Sequence, residues 1–131
     1  MNRAALPLLM KAFLAIISLL SLAACATLES PIRSQQLVGN WRYEDQFQSC
    51  RYSFKSDGSF TGEVKLRMKL ISKFKGRWAV QGETLLYSYV SDALGRIPAG
   101  AIDRDQLLEI KKDSFIIQAA NGDRRRYVRM P

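Results

Sequence analysis

No histidine occurs among the 131 residues. That absence removes Ser-His-Asp triads, Cys-His nucleophile pairs and imidazole metal sites together. Cysteine is scarce, with only Cys25 and Cys50. Acids number 12 against 20 basic residues, and no apolar run reaches the roughly 20 residues that a membrane-spanning helix needs. Asp103 and Asp105 could be called a carboxylate pair, but acids at this spacing read as solvated surface charges. No catalytic set remains, so the chain reads as a non-enzyme, with no cofactor and no metal.

What is present begins with an N-terminal leader. Arg3 and Lys11 precede the apolar stretch Ala12–Leu22, which is eleven residues long. A basic n-region and a short apolar core are the pattern of a signal peptide, here residues 1–24. Leu22-Ala23-Ala24-Cys25 follows it. This tetrad resembles the lipobox of bacterial lipoproteins, with cleavage between Ala24 and Cys25. The resemblance implies a diacylglyceryl thioether and an N-acyl (palmitate-type) chain on Cys25. Two or three acyl chains hold a protein on a membrane, where one gives only marginal binding. In such lipoproteins Asp just after the cysteine favours the inner membrane; Ala26 stands there, which implies the outer membrane facing the periplasm.

Cleavage would leave 107 residues, enough for one domain. Without Arg3 and Lys11 the balance is 18 basic against 12 acidic, a net +6. A basic exported domain has anionic lipid, lipopolysaccharide phosphates or an acidic protein within reach, while export takes it away from nucleic acid. With Cys25 acylated, Cys50 has no disulfide partner. Residues 26–36 (ATLESPIRSQQ) lack an apolar period and, with Cys25, read as a lipidated flexible tether, residues 25–36.

Residues 37–131 read as the domain. From Leu37 onward apolar residues recur with period two, and turn signals break the runs at short intervals. Strands are expected at Leu37–Tyr43, Cys50–Lys55, one long run from Phe60 to Leu70, Phe74–Val80, Leu85–Tyr89, Leu107–Ile110, Phe115–Ala119 and Arg124–Met130. Ser91–Ala101 is the longest expected loop, and Asn121-Gly122 is a type I′ hairpin signal. About eight short antiparallel strands would expose long edges unless the sheet closes, so the expected fold is all-β, a small antiparallel barrel.

Gly39-x-Trp41 in the first strand resembles the Gly-x-Trp signature of lipocalins. Tyr52-x-Phe54-x-x-Asp57-Gly58-x-Phe60, Gly76-x-Trp78 and the terminal Tyr127-x-Arg129 are similar to small bacterial lipocalin-like families. The resemblance implies a calycin-type barrel in which Arg129 packs over Trp41 by a cation–π contact. Lipocalins also carry a helix beside the barrel, and no stretch after Leu37 has a helical period.

The outward positions carry a basic strip: Arg51, Lys55, Lys65, Arg67, Lys69, Lys73, Lys75 and Arg77, opposed within residues 51–77 only by Asp57 and Glu63. Like charges directly across a strand pair cost roughly 0.2–1 kcal/mol each. Such a strip invites contact with anionic lipid, lipopolysaccharide or an acidic protein. Two other uses are open. The barrel interior could carry a small apolar ligand, although Trp41, Phe54, Phe60, Phe74, Trp78 and Tyr87 are expected inside and would fill it readily. Leu37-x-Gly39-x-Trp41 with Cys50 also resembles small periplasmic inhibitors of secreted metalloproteases, but those carry a disulfide. Cys50 itself reads as a buried, inert thiol.

Overall fold

The computed structural model describes residues 31–131, so the leader, the Ala24–Cys25 cleavage site and residues 25–30 lie outside the described residues. A short helix, α1 (Pro31–Leu37), precedes eight strands: β1 (Gly39–Glu44), β2 (Gln48–Phe54), β3 (Ser59–Leu66), β4 (Lys69–Gln81), β5 (Thr84–Asp92), β6 (Ile102–Ile110), β7 (Ser114–Gln118) and β8 (Arg124–Arg129). Each strand pairs antiparallel with the next, and β8 returns to β1 through Trp41 opposite Arg129 and Arg42 opposite Val128. The sheet is a closed barrel.

Alternation puts the aromatic residues inside. Trp41, Phe54, Phe60, Phe74, Trp78 and Tyr87 are all buried. Their rings meet across the barrel axis: Tyr52 on β2 lies 5.8 Å from Tyr87 on β5 and 5.5 Å from Tyr127 on β8, between ring centroids. Phe54 reaches Phe115 on β7 at 6.4 Å. The interior is therefore packed with side chains, as a barrel of this strand number permits.

Two glycines of the sequence pattern have steric reasons. Gly39 has φ +138°, a conformation that L side chains rarely adopt, and a Cβ there would collide with the Arg129 guanidinium. Gly76 sits at a bulge in β4, where a Cβ would run into the backbone carbonyl of Ser88.

Four expectations need correction. Residues 31–36, read as irregular tether, belong to α1, and Leu37, placed in the first strand, ends that helix. A seven-residue helix is marginal alone. This one is held from outside: Leu37 is fully buried, and its carbonyl accepts the Trp41 indole N–H at 2.8 Å. Arg129 donates to the carbonyls of Gln36 (3.0 Å) and Val38 (2.9 Å). Distant side chains thus satisfy the carbonyls that a helix C-terminus leaves open.

Second, the long strand expected from Phe60 to Leu70 is a hairpin. It turns at Arg67-Met68, both with positive φ (48° and 68°), as a type I′ turn requires. Third, the Asn121-Gly122 signal lies in a wider connection, where Gly122 alone has positive φ. The expected loop at Ser91–Ala101 is also shorter, because β5 runs to Asp92 and β6 starts at Ile102.

Candidate functional site: the outer basic face

The barrel has two unlike ends. α1 crosses one of them, above the connections at 55–58, 82–83 and 111–113. There Arg129 stacks over Trp41, its guanidinium carbon 4.2 Å from the ring centroid, while its Nε donates to the Lys112 carbonyl at 2.8 Å. Trp78 seals the same end by donating its indole N–H to the Lys55 carbonyl at 2.9 Å.

The opposite end, the rim, is polar. Cross-strand partners share a face, so Asp103, opposite Tyr87, and Asp105, opposite Leu85, point inward from β6. The Tyr89 hydroxyl donates to Asp103 at 3.0 Å, and the Tyr87 hydroxyl bonds Asp105. Burial, together with the Asp103 charge, pushes the Asp105 carboxyl up to about 6 despite the Tyr87 hydrogen bond and nearby Arg125. Asp105 is a partly buried group tied to Tyr87, and the reading of it as a solvated surface charge is corrected; Asp103, tied to Tyr89, stays exposed. Arg125 points inward as well, with its guanidinium carbon 5.5 Å from the Tyr43 ring centroid. Cys50 lies buried below this rim as a free thiol, and burial raises its pKa. A buried thiol of raised pKa is a poor nucleophile.

The outer surface of β2, β3 and β4 carries the basic strip. Arg51 and Lys73 both face Glu63 across the register, Lys75 faces Thr61, and Arg77 faces Ser59. The expected like-charge cost is therefore largely absent: an acid or a hydroxyl separates the cations, and Arg42 opposite Arg51 is the like-charged pair. Lys69 leaves the strip, because the turn at 67–68 pairs it with Leu66, on the face opposite Lys65. Arg67 sits in the turn itself and lies over Phe47, 5.9 Å from the ring centroid. Arg77 is committed to the Asp57 carbonyl at 2.9 Å. Among the described residues, Arg51, Lys55, Lys65, Lys69, Lys73 and Lys75 have no side-chain hydrogen bond or ion pair.

A groove of about 530 Å³ crosses this face. One row of the register, Ser53, Thr61, Lys75 and Ser91, lines it, together with Arg51 and Lys73 and the carboxylates of Glu63 and Asp92. Hydroxyls and unpaired cations together can coordinate the oxygens of an anionic group. The sequence placed the cations here, but not the groove. That needs Ser53, Thr61 and Ser91 aligned across three strands, and register is invisible in a single run.

Comparison with known proteins yields structural likeness and no sequence match. No protein-family model matches the chain, and no curated protein matches its sequence. A lipocalin-like protein from Bacteroides uniformis, known from its crystal structure, superposes with a TM-score of 0.54 at 17% identity, over 72% of this chain and 99% of the other. The barrel is lipocalin-like. At that identity the likeness concerns the fold.

Proposed function

We propose that this protein is a lipid-anchored lipoprotein of the cell envelope, acylated on Cys25, whose lipocalin-like barrel is a non-catalytic binding module. Its working surface is the outside of β2, β3 and β4, which takes up anionic envelope components: phosphate-bearing lipid, lipopolysaccharide or an acidic protein. The observation that carries this reading is the groove that Arg51, Lys73 and Lys75 line without an ion pair, beside the hydroxyls of Ser53, Thr61 and Ser91, with Glu63 and Asp92 as its acids. The filled interior supports the outside over the inside, because aromatic rings occupy the space that a carried ligand would need.

The anchor is read from the mass of the protein extracted from membranes, expected to be an acylated chain beginning at Cys25. The binding surface is tested on residues 26–131, which hold the whole closed barrel and its cap. Reversing Arg51→Glu, Lys73→Glu and Lys75→Glu together should weaken binding to vesicles containing phosphatidylglycerol, and to lipopolysaccharide, at least tenfold at moderate salt. Unchanged affinity for both would overturn the reading.

A further inference from the structure

The hairpin between β3 and β4 departs from what a tight turn favours. Type I′ turns select Asn-Gly because both central residues need positive φ, yet Arg67 and Met68 stand here. Holding non-glycine residues in this region is strained, and such strain persists where a side chain is wanted. The side chain presented is Met68, 94% exposed at the apex. Phe47 (56% exposed) and Leu66 (45%) flank it, and the Arg67 amide donates to the Phe47 carbonyl at 2.8 Å, which joins the two turns into one tip. Around these apolar groups the sequence alternates Lys65-Leu66-Arg67-Met68-Lys69-Leu70.

From this arrangement we infer that the tip is a membrane-interface wedge: Met68, Phe47 and Leu66 enter the headgroup region of an anionic bilayer while Lys65, Arg67 and Lys69 engage its phosphates. The inference rests on the proposed anionic-partner reading and deepens it by naming a lipid surface. Apolar side chains interleaved with cations fit the boundary between headgroups and acyl chains, where each cation near an anionic leaflet adds to the attraction. The tip is continuous with the strip through Lys65, on the same outer face as Glu63.

The inference also sets an orientation. From Cys25 to Pro31 the chain can span about 20 Å, at up to about 3.5 Å per residue. The tip lies at the far end of β4, whose 13 residues extend roughly 40 Å along the strand. An upright barrel tethered at its capped end would hold the tip clear of its own leaflet. Lying on the β2–β4 face, it brings anchor, strip and tip to one surface.

The test uses residues 26–131 with a Phe47→Trp reporter and vesicles carrying bromine on the acyl chain near the headgroup. Quenching of the reporter in phosphatidylglycerol vesicles, and its absence in purely phosphatidylcholine vesicles, is expected. The pair Leu66→Ser and Met68→Ser, both on the surface, should lower vesicle affinity at least tenfold at salt concentrations that screen the strip. An unquenched reporter, or unchanged affinity of the double variant, overturns the wedge. If charge reversal at Arg51, Lys73 and Lys75 still abolishes binding in that case, the basic-face reading stands without it. Failure of the wild-type chain to bind vesicles, with retained binding to an acidic protein, also overturns the lipid assignment alone.

Discussion

The capped end and the rim use aromatic residues in opposite ways. At the capped end the indoles of Trp41 and Trp78 are tied to backbone carbonyls, and Arg129 spends its donors on Gln36, Val38 and Lys112. Every polar group named there satisfies backbone, so that end reads as structure. At the rim the polar groups are carboxylates and hydroxyls paired with each other: Tyr89 with Asp103, Tyr87 with Asp105, Tyr43 with Asp45. All five tyrosines are on inward positions, and Tyr43, Tyr87 and Tyr89 find carboxylate partners for hydroxyls that a phenylalanine would lack. The same barrel wall thus supports a sealed end and a titratable one.

The sharpest break in this comparison comes from β1, where Trp41 and Tyr43 point inward two residues apart. Trp41→Ala opens a cavity under α1 and leaves the Leu37 carbonyl without its donor, and should cost about 3–5 kcal/mol. Tyr43→Ala removes a half-exposed ring whose hydroxyl bonds only Asp45, and should cost about 1 kcal/mol. Urea unfolding of the two variants measures the difference, and equal losses would mean that the ends are equally structural.

Asp105 gives the second test. Its folded pKa of about 6 lies above its ordinary 3.8, so the folded state holds a proton that the unfolded chain has released. Stability from this group is complete below pH 3.8, falls as the pH rises through the window to 6, and is lost above it. The full shift corresponds to roughly 3 kcal/mol, and solvent at the rim should reduce the effect to about 1–2 kcal/mol. Asp45 and Asp92, both held down to about 2 by hydrogen bonds, act in the opposite direction at lower pH. Asp105→Asn should therefore be more stable than wild type at pH 7.5 by about 1 kcal/mol and no more stable at pH 3.5. A gain of the same size at both pH values would assign the effect to packing.

Much of the barrel was legible because period-two alternation survives in β1, β2, β4 and β5, where aromatic and charged residues take opposite faces. Trp41, Phe54, Trp78 and Tyr87 could be placed inside from spacing alone. α1 could not be read, because its support lies far along the chain: Arg129 reaches Gln36 across 93 positions. The partly buried setting of Asp105 is not legible, because β6 puts an acid on its inner face, which runs against hydrophobic patterning and makes sense only beside Tyr87. The cations of the strip were visible one by one. Their separation by Glu63, Thr61 and Ser59 depends on register, which no local pattern encodes.

The smallest expected effect isolates the turn that the sequence concealed. Replacing Arg67→Asn and Met68→Gly supplies the residues that a type I′ turn prefers, at positions whose φ values are already 48° and 68°. Relief of the left-handed strain should stabilise the barrel by about 1 kcal/mol, partly offset by the greater freedom of glycine in the unfolded chain. Denaturant midpoints measure that gain. The same variant removes the exposed methionine and one flanking cation, so vesicle binding should weaken as stability rises. That opposition separates a turn kept for its side chains from one that is merely tolerated: if stability rises and vesicle binding is unchanged, Arg67 and Met68 are strained without purpose. If stability falls instead, these side chains hold the hairpin, through the Arg67 contact with Phe47, and the turn belongs with the structural end of the comparison.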